Sequence, residues 1–330
     1  MFINLNKLEY CPKVSIVIPA YNASNYLSKA INCALEQTYT NLEVIVVNDG
    51  SKDDGKTADI ARSYGDRIVY IEKENGGSSS ALNVGIKAMT GEWFSWLSHD
   101  DLYYPNKVEK QVEFLNKLSK LDDIIKYVLF CACENIDENG NVIRNCNHKE
   151  VKEIASFVNN LTDNAHLIAE PTKYMFYGCG CLIHKDVFKK LGGFNEKLKL
   201  VNDIDMWFRI YSAGFRIRFI EDVLVQGRIH SEQVSRSIGF SYHNPEQDMY
   251  WSRSLDWLKE HNKDDYSLFV KYGCNAYKKT RNNEAKLAFE YAKKLKPQSA
   301  LQLSIKKSYC ICYATLRNFI KKIYIKLKIG

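Results

Sequence analysis

The sequence predicts an α/β fold: a mainly parallel, twisted sheet with flanking helices, followed by a helical C-terminal extension. Three observations lead there. From Val14 onward, short β-rich runs alternate with stretches of helical periodicity. Each β-rich run ends in a polar loop, and beyond Asp248 only helical patterns remain.

The first run, Val14 to Ile18, precedes a helical stretch from Asn25 to Glu36. Leu42 to Val47 precedes Asp54 to Ser63, Ile68 to Ile71 precedes Ser78 to Met89, and Trp93 to Leu97 closes the series. Such βαβ repeats feed a parallel sheet, whose ligands sit at the carboxyl ends of the strands. The loops to read are therefore Pro19-Ala20-Tyr21-Asn22, Asn48-Asp49-Gly50-Ser51, Glu74 to Ser78, and Ser98-His99-Asp100-Asp101. All four would meet on one edge.

A second region, about Tyr127 to His230, mixes strand-like runs with Gly178-Cys179-Gly180, Gly192-Gly193-Phe194 and a helical segment from Asp203 to Ser212. The expected organisation is one domain over residues 1–240, in two halves near 12–105 and 125–236. A helical extension over 241–330 would follow. Within it, Tyr266 to Pro297 resembles a single tetratricopeptide-type helix pair with no second copy.

The chain has 330 residues, 45% hydrophobic and 26% charged, which suits a globular protein and excludes a disordered one. Met1 to Lys13 carries no apolar run of signal-peptide length, and no stretch offers the roughly 18 apolar residues of a spanning helix. A cytoplasmic protein, peripheral on the inner face of the cell membrane at most, is the expectation. The ten cysteines include Cys-x-Cys pairs (Cys131 with Cys133, Cys179 with Cys181, Cys310 with Cys312) but no zinc spacing. Two of the pairs read as small apolar residues on buried strand faces.

The formal charge of +7 is concentrated in the tail: residues 305–330 hold seven bases and no acid, and the remaining 39 bases equal the 39 acids. There, Ile305, Tyr309, Cys312, Leu316, Phe319, Ile323 and Leu327 recur every three or four residues, making an apolar stripe flanked by lysines. Such a helix can lie on an anionic membrane, or its stripe can pack on the preceding domain or on a second subunit of a homo-oligomer. Charge balance elsewhere argues against nucleic acid.

Four segments in order, Val14-Ser-Ile-Val-Ile-Pro-Ala-Tyr-Asn22, Asn48-Asp-Gly-Ser51, Ser98-His-Asp-Asp101 and Asn202-Asp-Ile-Asp-Met-Trp207, resemble glycosyltransferase family 2 with its GT-A fold. The resemblance covers about residues 12–236. It implies an inverting transfer of a sugar from a nucleoside diphosphate sugar, with uridine the favoured nucleotide, to an acceptor hydroxyl of a glycan or lipid-linked glycan in bacterial surface polysaccharide synthesis.

The same resemblance implies residue roles. Pro19, Tyr21 and Asp49 would hold the nucleotide, Tyr21 offering a flat face and Asp49 a carboxylate. Asp100 would contact the ribose and Asp101 a Mn²⁺ or Mg²⁺ ion, with His230 of the Arg228-Ile229-His230 segment as a further metal or diphosphate ligand. Asp203 would be the general base, with Asp205 as its rival and Asn202 and Trp207 beside it on the acceptor side. Ordinary structural roles compete at each point: a capped turn at Asn48 to Ser51, and helix N-terminal acids at 100–101 and 203–205. The chain also departs from the family pattern at Ser98, Leu82 and Asn202, where Asp, Arg and Glu are common. A non-catalytic sugar-nucleotide binder and a sugar-phosphate nucleotidyltransferase are the alternatives.

Overall fold

A computed structural model describes residues 9–120, 123–144, 147–170, 174, 176–231, 233, 245–279 and 281–329. Its chain divides into two compact units, one drawn from 1–162 and 176–238, the other from 163–175 and 239–330.

In the first unit the four expected strands are β1 (Val14–Ala20), β2 (Leu42–Asp49), β3 (Val69–Lys73) and β4 (Trp93–Trp96). They lie parallel in the order β3-β2-β1-β4, with Val14 beside Leu42 on one side and Trp93 on the other. All seven residues of β1 are buried. An interior strand covered on both faces reads as a continuous apolar run, which is why Val-Ser-Ile-Val-Ile shows no alternation.

Beyond β4 the sheet continues through β8 (Leu182–His184), β6 (Tyr127–Ile136), β9 (Arg216–Arg228) and the two-residue β5 (Leu102–Tyr103). Strand β8 runs antiparallel to both neighbours, β6 and β9 are parallel, and β5 is antiparallel to β9. Strand β7 (Val142–Arg144) pairs with β6. These pairings join the carboxyl end of β9 to the loop after β4. The β5–β9 pairing connects residues more than a hundred positions apart.

Helices α1 (Leu27–Leu35), α2 (Lys56–Arg62) and α3 (Ser78–Ala88) follow the first three strands, and α4 (Lys107–Ser119) follows β5. Helices α5 (His148–Asn159), α7 (Lys185–Leu191) and α8 (Asn202–Ser212) complete the unit. The N-terminal end of the sheet is tied by Glu43, which accepts hydrogen bonds from Ser15 Oγ, from the backbone amides of Thr90 (2.7 Å) and Gly91 (3.0 Å), and from Lys13 Nζ at 2.9 Å. Burial raises the pKa of this carboxyl, but those hydrogen bonds outweigh it and bring it down to about 2.

The second unit is helical: α6 (Ala165–Ala169), α9 (Pro245–His261), α10 (Tyr266–Lys278), α11 (Asn282–Leu295) and α12 (Ala300–Ile329). Helices α10 and α11 pack together as a pair, and α12 packs on α10. The linear division at residue 240 misses α6. Its Leu167, Ile168 and Ala169 are fully buried, and the helix packs on α9 and α10 rather than in the sheet unit. Five residues with one polar side chain carry too little pattern to say which core they enter. No helix among the described residues is long and apolar enough to cross a membrane.

Candidate active site

The loops after β1 and β2 are laced to each other. Asn22 Oδ1 accepts from the Lys52 amide at 2.7 Å, and the Asn22 amide donates to Ser51 Oγ at 2.9 Å. Asn48 Oδ1 accepts from both the amide and hydroxyl of Ser51, so the Asn-Asp-Gly-Ser turn is held by its own side chains. Gly50 has φ +64°, and a Cβ there would lie 2.7 Å from the Asn75 nitrogen. Only glycine fits this approach of the second and third loops. Pro19 is buried, with its carbonyl 3.3 Å from His99 Nδ1. Tyr21 keeps its ring 41% exposed at the end of β1.

Asp49 is turned inward. Its Oδ1 accepts from Lys73 Nζ (2.7 Å) and the Gly76 amide (3.0 Å), and its Oδ2 from the Gly77 amide (2.7 Å). The carboxylate, 3% exposed, thus fixes the third loop, a role the sequence reading did not assign. From that loop the network crosses to the second half of the unit: Asn202 Nδ2 reaches Ser79 Oγ at 3.0 Å and Ser78 Oγ at 3.3 Å. Leu82, where an arginine is common in the family, is fully buried on α3.

At the fourth loop the two neighbouring aspartates have different surroundings. Asp101 is 1% exposed, and both oxygens already have donors: Oδ1 the Arg228 amide at 2.8 Å, Oδ2 the Tyr177 hydroxyl at 2.6 Å and Cys179 Sγ at 3.1 Å. Burial and the neighbouring charge of Asp100 lift its pKa to about 7, against the pull of those hydrogen bonds. Asp101 is a strut, and no oxygen of it faces open space. Asp100 instead pairs with His230, whose Nε2 lies 3.0 Å from Oδ2, and Gln233 Nε2 reaches the same oxygen at 3.3 Å. Burial would raise Asp100, but the His99 imidazole and the hydrogen bonds from His230 and Gln233 hold it below the usual carboxylate range.

Arg228 makes this arrangement rigid. Its side chain is 2% exposed, donates to the carbonyls of Asp100 (2.8 Å), Asp137 (2.9 Å) and Glu138 (3.0 Å), and lies 4.7 Å from the Tyr26 ring centre. The His230 ring packs beside the same tyrosine at 5.2 Å. Val234 and Ser235, which follow this segment in the sequence, lie outside the described residues.

Tyr177 and Cys179 were missed by spacing alone. Cys179 does not lie on a strand, as its Cys-x-Cys pattern suggested, but in the tight turn Gly178–Gly180. A Cβ at Gly178 would meet the Trp96 ring at 2.6 Å, so the chain passes close enough to bring Cys179 Sγ to the Ser98 amide at 3.2 Å. The only available signal was the pair of glycines flanking that cysteine.

Of the acceptor-side set, the structure leaves Asp203 partly exposed at the start of α8, where its Oδ1 accepts from the Ile204 amide at 2.7 Å. Burial raises its pKa to about 6, partly offset by that amide. Asp205 is no rival base: it is 4% exposed and ion-paired at 2.7 Å with Arg209, which also holds the Leu191 and Gly193 carbonyls. Trp207 is no acceptor contact either. It is 1% exposed, stands edge-on to Phe130 at 4.8 Å, and donates to the Phe176 carbonyl. An indole this large in the second turn of α8 fills the core because that face of the helix is buried.

Asp100 and His230 bring a carboxylate and an imidazole together, while both oxygens of Asp101 already accept hydrogen bonds. No group of three or more His, Cys, Asp or Glu side chains among the described residues could cage a metal. Mg²⁺ or Mn²⁺ of a nucleotide site needs no such cage, since it keeps waters and phosphate oxygens around one or two carboxylates. The lowered pKa of Asp100 keeps it anionic for that role.

Comparisons with known proteins bear on the family and the fold. A Rickettsia felis protein named as an uncharacterised glycosyltransferase is 49% identical over 251 residues; the match takes in 76% of this chain and 39% of the relative, so the chain spans about two fifths of its length. Among solved structures, Staphylococcus aureus TarS in complex with UDP-GlcNAc superposes with TM-score 0.60 at 16% identity, covering 94% of this chain and 92% of that one. The mannosyltransferase PcManGT of Pyrobaculum calidifontis, in complex with GDP-Man and Mn²⁺, gives TM-score 0.54 at 17% identity, covering 95% and 89%. At these identities the two structures establish a shared GT-A fold. The model for glycosyl transferase family 2 matches residues 15–192, more than half of the chain, and the chain belongs to that family.

Proposed function

We propose that this chain transfers a sugar from a nucleoside diphosphate sugar to an acceptor hydroxyl with inversion at the anomeric carbon. The observation that carries the reading is Asp203: a carboxyl at a helix start, partly exposed, with its pKa raised to about 6. A base near neutrality accepts a proton as the new bond forms and is ionised before it does so. The acceptor oxygen bonds to the anomeric carbon, the bond from that carbon to the diphosphate oxygen breaks, and the hydroxyl proton passes to Asp203.

Tyr21 would stack on the base with its exposed ring, while Asp49 holds the third loop in place behind it. Asp100 and His230 would hold Mn²⁺ or Mg²⁺, which when bound neutralises charge on the departing diphosphate. Asn202, bonded to Ser78 and Ser79, ties the start of α8 to the donor half and so sets the distance between base and donor. Uridine is the favoured nucleotide, supported by TarS with its UDP-GlcNAc; the GDP-Man of PcManGT marks the competing case. On this reading the acceptor is a bacterial surface glycan or its lipid-linked precursor.

The test is nucleotide release from a panel of UDP-, dTDP- and GDP-sugars with Mn²⁺ and glycan acceptors, comparing wild type with Asp203→Asn. Acceptor-dependent release that the substitution abolishes supports the reading. Donor binding without turnover over the whole panel would favour a non-catalytic binder. Pyrophosphate formed from a sugar phosphate and a nucleoside triphosphate would favour a nucleotidyltransferase.

A further inference from the structure

Among the described side chains of helix α12, one apolar face is packed and another is exposed. Leu303, Cys310 and Ala314 are buried on the side that packs against α10. About 160° around the helix, Leu301, Ile305, Tyr309 and Leu316 are 59–73% exposed, with Cys312 exposed among them. This outward stripe includes the first four residues of the periodic pattern, so the pattern does not describe packing on the body of the protein. The side chains of Phe319, Ile323 and Leu327, which continue it in sequence, lie outside the described set. A contiguous exposed apolar stripe on a helix is a surface built for contact.

We propose that this stripe seats on an anionic lipid surface, with α12 lying in the headgroup plane. Charge decides between this occupant and a second copy of the chain. Residues 305–330 hold seven bases and no acid. Pairing the stripes of two copies would bring fourteen bases together with no carboxylate on either helix to offset them, whereas an anionic headgroup layer supplies the counter-charge. The stripe from Leu301 to Leu316 alone is about 23 Å long, and its Tyr309 suits an interface that is apolar on one side and wet on the other. The inference does not depend on the chemistry at Asp203.

The experiment is co-sedimentation of the full chain with phosphatidylcholine vesicles, with and without phosphatidylglycerol. Binding to the anionic vesicles should be at least about tenfold tighter, and should weaken as salt is raised to about 0.5 M. Ile305→Glu combined with Leu316→Glu should reduce it at least about tenfold, with helix content and melting temperature unchanged. Lys306→Gln combined with Arg317→Gln, which leaves the stripe intact, should cost about fivefold or more per charge removed. Binding that ignores lipid charge, no binding to anionic vesicles, or a dimer in solution that the stripe substitutions dissociate would each overturn the proposal.

Discussion

His230 Nε2 lies 3.0 Å from Asp100 Oδ2, joining the end of β9 to the loop after β4 across 130 positions of sequence. If this pair is the cation site, Asp100→Ala should abolish metal-dependent donor binding while leaving the melting temperature within a degree or two. His230→Ala should raise the half-saturating Mn²⁺ concentration at least about tenfold. Calorimetric titration of donor with and without Mn²⁺ checks both. A larger loss from His230→Ala than from Asp100→Ala would reverse their ranking.

Asp101 should fail differently. Removing the Tyr177 hydroxyl with Tyr177→Phe strips its shortest donor from a buried carboxyl, which costs about 1–3 kcal/mol. A melting temperature lower by several degrees is expected. Half-saturating Mn²⁺ should change far less than in His230→Ala, and thermal denaturation beside metal titration separates the two roles.

Asp203 must be ionised to accept a proton. With its pKa raised to about 6, kcat/KM should rise as pH increases through about 6 and level off above 7. Asp203→Asn should lower kcat by about 10²–10⁴-fold, keep donor affinity, and lose that limb of the profile. A mutant that retained the same rising limb would assign it to another group.

Glu43 should govern stability in acid. Its folded pKa, lowered to about 2, lies below the unfolded value, so its contribution is complete above pH 4.5 and is lost as pH falls from 4.5 towards 2. After allowance for solvent screening, Glu43→Gln should cost about 1–2 kcal/mol at pH 7 and progressively less below pH 4. Urea denaturation at pH 7 and pH 3 checks the sign: equal losses at both would mean that the hydrogen bonds matter and the charge does not.

Much of the fold was written in local pattern. The runs at Val14, Leu42, Ile68 and Trp93 became adjacent parallel strands because an interior strand must be apolar throughout and a crossover helix must follow it. The polar loops at their ends were legible for the same reason, and so was the carboxyl at the start of α8. What spacing could not carry was direction. Asp100 and Asp101 are neighbours, and local sequence offers no reason why one carboxylate faces His230 while the other is enclosed by Tyr177, Cys179 and the Arg228 amide.

The sequence by itself determined the βαβ order, the four loops and the basic amphipathic character of α12, since each follows from residues close together in the chain. Tertiary structure alone decided that Asp101 is enclosed, that Asp205 belongs to Arg209, that Trp207 fills the core, and that the stripe of α12 points outward. Those outcomes depend on which distant backbone lies against each side chain. A buried carboxylate needs donors, and here they come from positions 76, 78 and 127 residues away.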